Sequence, residues 1–169
     1  MKNIFNIYDD LSYLVKKDQV NHATHKINIV DFVRSRIEFF TQTAIKFKSK
    51  FEFIHKTDEI ILNFNEIKLQ RIVDNNLTNA IKYTLENETI YVILKVHGAD
   101  CDLIIESRSA QILDPQKIFE EYHREEISKE GFGLGLNLVK RICNEENVGI
   151  KLESGENWAS FTYTFKGVI

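Results

Sequence analysis

A chain of 169 residues, 43% hydrophobic and 28% charged, has enough apolar material for one domain with a core but not for two full domains. The net charge of -3 is too small to point to a partner, and no basic block points to nucleic acid. Two cysteines give neither a disulfide framework nor metal-ligand spacing, and no apolar run approaches the ~18 residues of a membrane helix.

From the N-terminus, Ile4, Ile7, Leu11 and Leu14 recur at steps of three and four. The seam lasts about two heptads, too short to stand alone as a coiled coil. It predicts either one end of a longer pairing helix or an amphipathic helix lying on its own domain. The polar stretch that follows, with His22 and His25, reads as a solvated linker rather than a metal site. An extended piece from Ile27 leads to a helix over about 31–44, with Phe32, Ile37, Phe39, Phe40 and Ala44 on its apolar face. The run 46–51 alternates as a strand with one solvated face would, and 51–54 and 59–64 read as two strands of a hairpin.

Residues 66–84 make the most informative helix. Leu69, Ile72, Val73, Leu77, Ala80, Ile81 and Thr84 form a wide apolar stripe that must face a sheet or another helix. Off the stripe lie Asn75, Asn79, Lys82 and Tyr83. Asparagines at i and i+4 stand one above the other on a single helical face. A carboxamide oxygen is a hard, neutral ligand suited to Mg²⁺, which keeps most of its waters and shares the rest of its sphere with substrate phosphates. An outer helical face more commonly carries Glu and Lys than Asn, a poor helix former.

Strands are predicted over 89–96 and 102–107, joined by a turn at Gly98, and a loop with one helical turn spans 115–124. The stretch Glu130-Gly131-Phe132-Gly133-Leu134-Gly135-Leu136 then runs into an apolar helical pattern over 134–146. Glycines let a backbone approach an anion with no Cβ in the way, and a helix N-terminus offers unpaired N–H groups. The loop taken alone reads equally well as a plain helix cap. Two last strands, 149–153 and 158–165, complete an α+β two-layer sandwich: one mixed, mainly antiparallel sheet with helices on one face.

Three motifs in this order resemble those of the ATP-binding catalytic domain of bacterial sensor histidine kinases, in the superfamily that includes gyrase-type and chaperone-type ATPases. Asp74-Asn75-Asn76-Leu77-Thr78-Asn79-Ala80-Ile81-Lys82-Tyr83-Thr84 matches the asparagine box, Ile118-Phe119-Glu120-Glu121-Tyr122 resembles the phenylalanine box, and Gly131 to Leu136 the second glycine box. The resemblance covers about 27–169. It implies ATP and Mg²⁺ as cofactors, with Asn79 the metal ligand, Asn75 supporting the metal site and Lys82 and Tyr83 near the phosphates. The backbone of Gly131, Gly133, Leu134, Gly135 and Leu136 would cradle the phosphates, and 113–130 would form a mobile lid. Residues 1–21 are similar to the distal end of the dimerising helical hairpin, 22–26 would be a linker and 27–169 the catalytic domain.

The implied activity is transfer of the ATP γ-phosphate to a histidine. The implied partners are a second copy of the protein, bound through that hairpin, and a cognate response regulator. The implied location is the cytoplasmic portion of an inner-membrane sensor, reaching the membrane only through segments outside this chain.

Two departures stand out. Ser107 occupies the place of the family's adenine-reading Asp, so the rival reading is a nucleotide-deaf domain of the same fold serving as an interaction module. The family's acceptor is a His followed by an acidic residue with Pro four positions further on. With Pro115 the only proline, none of the five histidines meets that pattern, so the acceptor is expected upstream. The related ATPases carry a Glu four residues before the Mg²⁺-binding Asn, and Asn75 stands there instead, against hydrolysis.

Overall fold

The computed structural model describes residues 11–12, 23–120 and 134–169. The expected dimerising helix over 1–21 therefore lies outside the described residues apart from Leu11 and Ser12, as do Gly131 and Gly133. The described chain runs β1 His25–Asn28, α1 Ile29–Lys46, β2 Lys50–Ile54, β3 Ile61–Phe64, α2 Glu66–Tyr83, β4 Thr89–His97 and β5 Asp100–Ser107. A single 3-10 turn, Lys117–Phe119, precedes α3 Gly135–Glu145, β6 Gly149–Gly155 and β7 Trp158–Phe165.

Five strands form one sheet in the order β2-β4-β5-β7-β6, antiparallel except for the β2–β4 pair, while β1 and β3 make a separate antiparallel ribbon. Alternation along β4 and β5 turns Ile90, Val92 and Leu94, and Cys101, Leu103 and Ile105, to one side of the sheet. These side chains meet Leu69, Ile72, Val73 and Leu77 of α2 and Leu138, Val139 and Ile142 of α3 in a common core. Helices on one face of a mixed, mainly antiparallel sheet give the expected two-layer α+β sandwich. Gly98, at φ +62°, takes the left-handed conformation that closes the tight β4–β5 turn.

The expected hairpin of 51–54 with 59–64 does not form. β2 pairs in parallel with β4, Lys50 opposite Thr89, whereas β3 pairs with β1. A tight hairpin calls for turn residues at positive φ, and no residue between β2 and β3 has one. Asn28 draws β3 elsewhere: its Oδ1 accepts from Val30 N at 3.1 Å, capping α1, and from Ile60 N at 3.2 Å. The expected strand at 46–51 is shortened as well, because α1 runs to Lys46 and turns at Lys48, φ 56°, before β2 begins. His25 and Lys26, assigned to a linker, already belong to β1.

Candidate functional site

The apolar stripe of α2 packs on the core and thereby fixes where its polar residues face. Asn75, Asn79, Lys82 and Tyr83 are all half-buried. The Asn75 Nδ2 donates to the Arg71 carbonyl at 2.9 Å, which leaves Oδ1 against the first residue of α3. A Cβ on Gly135 would overlap that oxygen and stand 3.3 Å from Asn75 Cγ, so glycine is what lets the two helices meet here.

The other end of the helix pair is tied by charge. Lys68, only 4% exposed, bonds the Glu146 carboxylate and lies 3.5 Å from that of Glu145. Residue 68 meets 145–146 while residue 75 meets 135, so α2 and α3 run antiparallel and the N-terminus of α3 is delivered to the middle of α2. A third tie sits next to Asn75: Arg36 of α1 grips Asp74 with two hydrogen bonds of 2.7 Å, a bidentate pair on half-buried side chains.

Leu134 caps α3 with no side-chain hydrogen bond, and the first turn holds no acidic residue. The first amides of the helix and the positive end of its dipole therefore face the Asn75 side unopposed by a carboxylate of that turn. Leu134 is buried, and Gly135 and Leu136 are half-buried. Asn137, which sequence reasoning passed over, donates from Nδ2 to the Phe119 carbonyl at 3.1 Å and so fastens the 3-10 turn to α3. Phe119 is buried, edge-on to Phe161 at 6.3 Å between ring centroids. The signal in the sequence was another Asn inside a helix start.

Ser107 ends β5 between Ile90 and Ala159, its cross-strand partners. Alternation places it on the helix-covered side and Glu106 and Asp102 on the other. Asp102 is engaged there, 2.9 Å from His97 Nε2 and accepting from Thr164 Oγ1 at 2.6 Å. No carboxylate of β5 thus shares the face of Ser107 beside these neutral neighbours. Close by, Thr84 bridges to Ser109, which is buried. A cleft of about 450 Å³ at this end of the sheet is lined by Tyr91, Glu106, Ser107, Arg108 and Trp158 but touches neither asparagine of α2. The carboxamide–glycine contact therefore marks the site better than the cleft does.

Among the described residues no cluster of three His, Cys, Asp or Glu could hold a metal. Carboxamide oxygen is what α2 offers, a donor that fits Mg²⁺ with phosphate oxygens and waters as its other ligands. A contact that only glycine permits and a helix start without acid fit an anionic ligand.

Comparison with known proteins agrees. Residues 64–167 match the model of the histidine kinase-, DNA gyrase B-, and HSP90-like ATPase family. The chain is 26% identical over 154 residues to the sensor histidine kinase YvrG of Bacillus subtilis, covering 88% of this chain and 26% of that protein. It is 25% identical over 163 residues to the sensor histidine kinase CusS of Escherichia coli, covering 92% and 34%. It spans about a quarter to a third of the length of these relatives. The nucleotide-free catalytic domain of the histidine kinase ThkA superposes with a TM-score of 0.77 at 20% identity, covering 85% of this chain and 95% of that one. A complex of ThkA with the response regulator TrrA gives 0.78 at 16%, covering 97% and 48%. Since the family model takes in more than half of the sequence, including the Asn75–Gly135 contact, the chain belongs to the histidine kinase-, DNA gyrase B-, and HSP90-like ATPases.

Proposed function

We propose that this chain is the ATP-binding catalytic part of a two-component sensor histidine kinase, serving transfer of the γ-phosphate to a histidine upstream of it. The observation that carries the reading is the Asn75 carboxamide set against Gly135, which brings the asparagine face of α2 to the N-terminus of α3. Asn79 is the proposed metal ligand, Asn75 orients that site, and Lys82 neutralises phosphate charge. Tyr83 flanks the nucleotide, and the first amides of α3 donate to its phosphate oxygens. Mg²⁺, when bound, supplies charge neutralisation and alignment of the phosphates for in-line attack. The residues contribute positioning rather than covalent chemistry, and a neutral imidazole needs little activation as the nucleophile. The whole protein would act as a homodimer, pass its phosphate to a cognate response regulator, and place this domain on the cytoplasmic side of the membrane.

The rival reading, a nucleotide-deaf interaction module, is favoured by one observation: a neutral Ser107, with Ile90 and Ala159 as its cross-strand neighbours, where adenine would be read. Titration with a fluorescent ATP analogue, with and without Mg²⁺, separates the two. The parent is expected to bind in a Mg²⁺-dependent way, and Asn79→Ala is expected to lose the Mg²⁺-dependent part while keeping its circular dichroism spectrum. Equal Mg²⁺-dependent binding by both refutes the metal assignment; no binding by the parent favours the interaction module.

A further inference from the structure

Between the two asparagines assigned to the site lies a third that faces the opposite way in chemical terms. Asn76 is 3% exposed, within the core. Its Nδ2 donates to the Ile72 carbonyl one turn back at 2.7 Å, and its Oδ1 accepts a hydrogen bond of 2.7 Å from the hydroxyl of Tyr163. Tyr163 is fully buried in the middle of β7, opposite Leu103 of β5 on one side and Ile150 of β6 on the other. Burial pushes its hydroxyl far above the ordinary phenol range, so it remains a proton donor.

We propose that Tyr163 and Asn76 are positioning residues for the nucleotide site: their buried hydrogen bond sets the rotation of α2 about its own axis and with it the aim of Asn75 and Asn79. The inference rests on the nucleotide reading above. At about 100° per residue, a helix pinned at Asn76 holds Asn79 about 60° and Asn75 about 100° to the same side. Both therefore turn toward α3, the side on which Gly135 receives Asn75. Toward the sheet, the rest of the α2 footing is Leu69, Ile72, Val73 and Leu77, and apolar contact has little directionality, whereas Lys68 and Asp74 tie the helix to α3 and α1 rather than to the sheet. A side chain reaches about 5–6 Å from a helix axis, so a roll of about 20° would carry an Asn tip about 2 Å. A constellation that orients a metal and phosphates tolerates about 0.5 Å. An apolar pair of the same shape would fill this place with nothing left unsatisfied, so the polar pair adds direction rather than burial.

The test separates aim from stability. Tyr163→Phe leaves the Asn76 oxygen unsatisfied, Asn76→Leu leaves the tyrosine hydroxyl unsatisfied, and the double variant removes both. Melting temperatures are expected to fall in each single variant and to recover in the double one. A purely structural pair would then restore binding of the fluorescent Mg-ATP analogue together with stability. A positioning pair leaves the recovered double variant about tenfold weaker than the parent, because no directional contact then sets α2 against β7. Parent-level affinity in the recovered double variant overturns the proposal. If the larger leucine prevents recovery, Tyr163→Phe decides, since it loses one oxygen and adds no bulk; measured well below its melting temperature, parent-level affinity there also overturns the proposal. A parent that binds no nucleotide fails differently: the functional reading falls first, and the positioning role goes with it.

Discussion

Replacing Gly135 with Ala tests the contact on which the site is built. Alanine is the better helix residue by up to ~1 kcal/mol, so propensity alone predicts a gain in stability. Against it stands the Asn75 oxygen, which occupies the place of the new methyl group. Asn75 must leave its rotamer, about 1 kcal/mol, and give up its bond to the Arg71 carbonyl, about 1 kcal/mol more. The net expectation is a loss of about 1 kcal/mol, or a melting temperature about 2–4 °C lower for a chain of this size. Binding concentrates the effect, because the displaced group is the one that orients the proposed metal site. Mg-ATP affinity is expected to fall by about tenfold or more, a larger change than the stability loss alone would bring. Calorimetric melting and titration of one preparation give both quantities. The double variant Asn75→Ala with Gly135→Ala removes the collision and is expected to melt above the parent while still binding poorly. A Gly135→Ala protein with parent stability and parent affinity refutes the contact and the reading built on it.

Ser107→Asp is expected to tighten ATP binding by about tenfold and to sharpen discrimination against GTP, since a charged acceptor contributes ~1.5–3 kcal/mol against ~0.5–1.5 for a neutral one. Unchanged affinity with existing ATP selectivity would assign base recognition to another group; Asp102 is a poor candidate because His97 and Thr164 engage it on the other face, whereas Glu106 lines the cleft that Ser107 also lines. The chain incubated alone with labelled ATP is expected to stay unlabelled, and stable label on His22 or His25 would overturn the upstream-acceptor argument. Stability should decline above about pH 9. Burial raises the Cys143 thiol to about 12, and burial together with Asp102 raises Cys101 to about 11, whereas both ionise near 9 in the unfolded chain. The unfolded state thus loses protons first as pH rises, which lowers stability. Urea midpoints that stay level from pH 8.5 to 10.5 would contradict this.

The elements read best from the sequence were those whose signal is local. The α2 stripe and the alternation of β4 and β5 around Gly98 depend on residues within one turn or one strand of each other, and they were legible to within a few positions. The partner of β2 was not, because alternation at Phe51 and Phe53 states which face is buried but not which strand lies alongside. Its true partner begins 39 residues later, at Thr89, and nothing near β2 encodes that pairing. Within the site, the spacing of Asn75 and Asn79 marked a shared helical face. Asn76 went unremarked, because the oxygen that it meets is 87 residues away on β7 and no periodicity in α2 points there. Asn137 escaped notice for the same reason, being interpretable only once Phe119 is packed beside it.

The parallel pairing of β2 with β4 has a geometric consequence for where chemistry can reside. Parallel neighbours cannot be joined by a turn; the chain has to leave the sheet, cross a face and return, and in this chain the returning path contains α2. Such crossovers are right-handed in about 98% of cases, because L-residues twist strands in one sense and a helix packs back onto that twist from one side. Given the direction of β2, handedness leaves a single face on which the helix bearing Asn75 and Asn79 can lie. The side of the sheet on which the asparagines of α2 lie thus follows from the chirality of the amino acids rather than from any residue of the candidate site.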